Sequence, residues 1–81
     1  MANDEVKARI KGFILSTVRK PDLRDDEDIF ALGFINSLFA MQLVMFVEKE
    51  FHVQVENEDL EIDNFRSVNA IANLVERKTQ L

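Results

Sequence analysis

Apolar residues recur along this chain at helical rather than strand spacing. Val6, Ile10, Phe13, Ile14 and Val18 lie mostly three and four positions apart, the period that gathers side chains on one face of an α-helix. Asn3 and Asp4 precede them as N-cap candidates and bring negative charge to the helix start. The pattern predicts a first helix over about residues 4–19, which stops before Pro21 because the residue preceding a proline is pushed out of the helical region. From Lys20 to Ile35 no period holds. Acidic Asp22 to Asp28 are followed by Ile29, Phe30, Leu32 and Gly33. A connection this long needs anchoring, and Ile29, Phe30 and Leu32 are expected to pin it, ordered, onto the helices.

Asn36 is the next N-cap candidate, and nothing between Ser37 and Phe51 breaks a helix. Leu43, Val44, Val47 and Phe51 are expected to form the core stripe of this second helix. Leu38, Met41 and Met45 are then left as an exposed apolar patch, which Phe39 either joins or leaves by folding back over the loop. His52 to Val55 read as a short extended link. Asn57 to Ile62 read as a short third helix with Leu60 and Ile62 facing inward. Ser67 caps a last helix, in which Val68, Ile71, Leu74 and Val75 repeat at helical spacing up to a basic end at Arg77 and Lys78. With two glycines, one proline and no long alternating run, the fold class is all-α: three longer helices, one short one, and a long ordered loop between the first two.

Composition adds limits to this picture. In 81 residues, 47% are apolar and 31% charged, a globular balance in a chain sized for one domain over residues 1–81. Cysteine is absent, so neither a disulfide nor a thiolate metal site is available. The first residues lack the basic and apolar regions of a secretory leader, and the longest apolar run, Leu38 to Val47, is interrupted by Gln42. That run is far short of the roughly 20 residues a bilayer span needs, and a cytoplasmic location is expected. The net charge of −5 is unevenly spread: residues 22–47 carry five acidic and one basic group, and residues 48–63 seven and one. That acidic middle repels nucleic acid and anionic lipid, and attracts partners with a basic patch.

Several kinds of chemistry fail on spacing. A hydrolase nucleophile elbow needs glycines two residues either side of its serine, where Ser37 has Ile35 and Phe39. His52 is the single histidine and reads as a surface or helix-end residue rather than a triad member or metal ligand. Asp22 to Gly33 has the length of a calcium loop, but Arg24 and Glu27 stand where a ligand and the turn glycine belong.

The segment Gly33-Phe34-Ile35-Asn36-Ser37-Leu38, with Phe51 closing the following helix, resembles the acyl carrier protein family. That family's signature is a glycine, then an acidic residue, serine and leucine opening the second helix, with an aromatic residue at its end. The resemblance covers nearly the whole chain, because the long loop, the acidic link and the final helix at Ser67-Val68 also fall in place. It implies a four-helix bundle of acyl-carrier type, with 4′-phosphopantetheine attached to Ser37 and with Gly33 and Asn36 shaping the attachment site. A serine in the first helical turn is exposed, and an attached phosphodiester meets unpaired N–H groups there. The bland reading of Ser37 is a helix cap shared with Asn36.

Asn36 stands where the commonest carriers have aspartate, and two residues rather than one separate Gly33 from it. This spacing is similar to that of free-standing polyketide carriers and D-alanine carriers, and the Asn-Ser-Leu run resembles carriers of methoxymalonyl or hydroxymalonyl extender units. Further implications are a non-catalytic role and partners comprising a phosphopantetheinyl transferase, an acyl-loading enzyme, and tailoring dehydrogenases or a synthase or acyltransferase. Leu38, Phe39, Met41, Gln42 and Met45 are the expected docking surface. Val44, Val47, Leu60 and Ile62 are expected to line an acyl cleft. Nothing in the pattern requires more than a monomer. The competing class is an unmodified helical adaptor that uses the same apolar patch.

Overall fold

The computed structural model describes residues 2–17, 22–31 and 37–79. Helix α1 spans Ala2–Thr17, about two residues earlier than the pattern predicts, with Asp4 and Glu5 in its first turn. Helix α2 spans Ser37–Phe51 as expected. A single 3-10 turn follows at Asn57–Asp59, then α3 at Ile62–Phe65 and α4 at Val68–Thr79. Among the described residues there are four α-helices and no strand.

The third helix departs from the expectation of one element over Asn57 to Ile62. The Glu56 N–H donates to the Asp59 carboxylate at 2.9 Å and closes the turn early. Leu60 then takes a ψ of 67°, outside the helical range, so the chain leaves the turn and starts a new helix only at Ile62.

Ile10 and Ile14 of α1, Leu43 and Val47 of α2, and Val68, Ile71, Leu74 and Val75 of α4 form one buried cluster. Helix α1 packs on both α4 and α2, and α3 packs on α4. The loop contributes Leu23 and Ile29 to the same cluster, with Phe30 partly buried beside it. The pinning expected of Ile29 and Phe30 is therefore seen, while Leu32, like Val18, lies outside the described residues.

Backbone bonds fix the loop as firmly as its side chains do. The Ile29 N–H donates to the Arg66 carbonyl at 2.7 Å, and the Asn69 N–H donates to the Asp25 carbonyl at 2.9 Å. The second of these caps α4 from outside, and the Ser67 hydroxyl caps it from within by accepting the Ala70 N–H at 3.0 Å. Two N–H groups of the first turn that α-helical bonding leaves unpaired are thus satisfied. Lys11 adds an ion pair to Asp25 at 2.7 Å, and Arg9 joins α1 to Glu50 of α2.

Helix α2 ends at a left-handed residue, His52, with φ 55°. The Val53 N–H reaches back to the Glu48 carbonyl at 3.3 Å, which is the bond of a Schellman cap, where glycine is the favoured residue. A side chain in this conformation meets its own carbonyl, at a cost glycine avoids. His52→Gly is expected to stabilise the fold by about 0.5–1 kcal/mol, offset in part by glycine's freer unfolded chain. Urea unfolding checks this through a raised midpoint; a lowered midpoint would mean that the imidazole stabilises the turn by more than its backbone costs.

Candidate functional site

Ser37 is the first residue of α2. Gly33 and Asn36, expected to shape its surroundings, lie outside the described residues. The first-turn N–H groups of a helix lack intrahelical partners, and α2 has no acidic residue in its first turn. Its own side chains therefore leave the positive end of the helix dipole unneutralised. An anionic group attached at this position is favoured there, which is the fit a phosphodiester requires.

Residues four, seven, eight and eleven places beyond Ser37 share its helical face. They are Met41, Val44, Met45 and Glu48, and all four line one groove of about 520 Å³. Val55, Leu60, Ile62 and Phe65 form the opposite wall, with Phe30 of the loop at one side. The groove is mainly apolar; Glu48 and Glu61 supply the carboxylates on its lining. The Glu48 side chain accepts the Val55 N–H at 2.9 Å, which ties the two walls together at the end away from Ser37.

Three sequence expectations need correction. Val47 does not line this groove: it is fully buried in the core, on the inner face of α2 with Leu43. Leu60 and Ile62 do not face inward; they are 52% and 59% exposed and border the groove from its open side. Their segment is anchored through Phe65 instead, which is buried. Phe39 does not belong to the exposed patch. It is 4% exposed and stacks on Phe13 with ring centroids 5.8 Å apart.

Leu38, Met41 and Met45 are exposed as expected, at 68%, 65% and 63%. Gln42 is exposed too, but it borders a separate shallow depression with Phe13, Phe46 and Lys49, and Met45 stands on the ridge between the two. Sequence reasoning did not single out Phe46. It stacks on Phe13 at 4.4 Å and meets the Phe51 ring edge-on at 6.1 Å, and its place seven residues after Phe39 was the available signal.

The outer wall of the groove hangs on α4 by polar contacts. Lys78 pairs with Asp59, Asn64 donates to the Asp59 carbonyl at 2.9 Å, and Arg77 donates to the Asn64 side chain at 3.1 Å. The bond from the Lys78 ammonium, helped by the Glu56 N–H, holds the Asp59 carboxyl below the usual carboxylate range. Asp59 in turn raises Lys78. A depressed carboxyl pKa stabilises the fold above the unfolded value of about 3.9, and the stabilisation is lost as pH falls through the folded value. Asp59→Asn is therefore expected to lower the melting temperature at neutral pH and to converge with the parent as pH falls below about 4. Parallel thermal melts across this range test the pair, and a constant offset would place the effect elsewhere.

Among the described residues, no helix is long and apolar enough to cross a membrane. No group of three or more His, Asp or Glu side chains among them is placed to hold a metal ion. No curated protein matches the chain. The family model described as the phosphopantetheine attachment site matches residues 8–75, a span that runs from α1 through the start of α2 and the groove into α4. This chain belongs to the phosphopantetheine-attachment-site family, whose members carry 4′-phosphopantetheine covalently.

Proposed function

We propose that Ser37 is the attachment residue and that the chain is a non-catalytic acyl carrier, folded as a four-helix bundle of acyl-carrier type. The observation that carries this reading is register: the helical face that begins at Ser37 continues as Met41, Val44, Met45 and Glu48 along the groove. A group tethered at the helix start has an apolar channel directly beside it. When attached, the arm supplies the thiol that holds an acyl group as a thioester, a function that this cysteine-free chain lacks.

The lining suits an uncharged acyl chain. A malonyl-type carboxylate in the groove would face Glu48 and Glu61 with no cation among the lining residues, and burying it unpaired is costly. A polar extender unit, which the Asn36-Ser37-Leu38 run favours as a second reading, would therefore stay on the arm in solvent. Both readings fit polyketide or related secondary metabolism. Carriers of this family are modified by a phosphopantetheinyl transferase and serve acyl-handling enzymes, here an acyl-loading enzyme and a synthase, acyltransferase or tailoring dehydrogenase. Leu38, Met41 and Met45 offer these partners an apolar contact, and exposed Glu61, on the same groove as the two methionines, suits a basic rim on the partner. Intact mass after incubation with coenzyme A and a broad-specificity transferase should show one added phosphopantetheine, mapped by peptide fragmentation to Ser37. No gain with several transferases would favour an unmodified adaptor.

A further inference from the structure

Three methionines are the only sulfur-bearing residues of this chain, and two of them, Met41 and Met45, stand one helical turn apart on the groove side of α2. Both are well exposed, at 65% and 63%, although a thioether is an apolar group that ordinarily fills a core. They make up much of the inner wall, because the remaining α2 lining is the small Ala40, the half-buried Val44 and the carboxylate of Glu48. The polarity of the groove therefore depends on the oxidation state of two accessible sulfurs.

We propose that Met41 and Met45 are a paired oxidation site through which hydroperoxides switch the groove from apolar to polar. In each event the O–O bond of the peroxide breaks and an S–O bond forms. The thioether is oxidised by two electrons to the sulfoxide, and the peroxide is reduced to water or an alcohol. The product is a strong acceptor that brings no donor, set on a wall whose polar side chains, Glu48 and Glu61, are acceptors as well. An apolar ligand then has to displace water from the sulfoxide oxygens where the lining side chains offer no donor in exchange, and its affinity falls. The change is reversible, since methionine sulfoxide reductases restore the thioether at the expense of a thiol reductant. This inference rests on the groove serving the carried acyl group as proposed above, but its test needs neither arm nor cargo.

The test uses the full chain without phosphopantetheine and the neutral dye Nile red as the groove probe. Dilute hydrogen peroxide is expected to add one oxygen to each of Met41 and Met45, located by peptide mapping, without changing the far-ultraviolet circular dichroism. Nile red affinity should fall by roughly tenfold and recover after treatment with the two epimer-specific reductases and dithiothreitol. The M41L/M45L variant has no sulfur in the wall, so its dye affinity, whatever its starting value, should be the same before and after peroxide. Failure of Nile red to bind the untreated chain, unchanged affinity after both sulfurs are oxidised, or an equal peroxide effect on the leucine variant would each overturn the proposal. None of these outcomes bears on Ser37, whose modification is read separately by mass.

Discussion

Ser37→Ala is expected to abolish attachment of phosphopantetheine while the domain stays folded. Position 37 opens α2, and alanine is a good residue in a first helical turn. If the hydroxyl also contributes to capping, its loss costs about 0.5–2 kcal/mol, which a domain with the usual 5–15 kcal/mol of stability survives. The loss of modification should be complete rather than partial. Ser67 is buried and bonded to the first turn of α4, Ser16 lies within α1 and bonds to the Phe13 carbonyl, and neither starts a helix beside a groove. Intact mass with and without transferase, together with a urea unfolding curve, reads both halves of the expectation. A variant that still gains the arm would move the attachment to another hydroxyl.

Phe39→Ala is expected to be the most damaging of the α2 substitutions that leave Ser37 in place. Removing a buried phenyl ring costs about 3–5 kcal/mol, part in lost burial and part in the cavity left behind, and here the stack on Phe13 goes with it. That loss is a large share of the stability of a chain this size. Met41→Ala, two residues along the same helix, removes a side chain that is mostly in solvent and should shift stability by only about 0.5 kcal/mol. Urea midpoints for the two variants decide between a core role and a surface role for Phe39. Equal midpoints would return Phe39 to the exposed patch.

That pair of variants also marks where the sequence was ambiguous. Helix α2 was legible from end to end because nothing between Ser37 and Phe51 interrupts it. Its inner face was not, because Leu38, Phe39, Ala40 and Met41 are all apolar and a continuous apolar run does not show which side is buried. The structure resolves this in favour of Phe39, Leu43 and Val47, a stripe whose spacing of four suits packing beneath α1. In α4 the contrast between apolar and polar positions was sharp, and Val68, Ile71, Leu74 and Val75 are buried as the period predicts.

The third helix misled for another reason. Its first turn is closed by a local contact, the Glu56 N–H on the Asp59 carboxylate, and the segment is held to α4 by Asp59 to Lys78 and Asn64 to Arg77, none of which leaves a period in the apolar pattern. The groove itself was half visible. Val44, Leu60 and Ile62 were named for it from sequence, but Met41, Met45 and Glu48 join them only once the wall opposite α2 is known. Leu23, buried in the loop, carried no signal beyond being a lone apolar residue among charges.

Hanging the outer wall on α4 by polar contacts makes it the least buried part of the fold among the described residues. Phe65 roots that wall in the core, whereas Leu60 and Ile62 rest on it with half their surface in water. With little apolar burial of its own, the outer half is expected to open locally at lower cost than α1, α2 and α4. Native-state hydrogen exchange is expected to be faster in residues 57–62 than in the three long helices, and equal protection would show that the wall opens only with the whole domain.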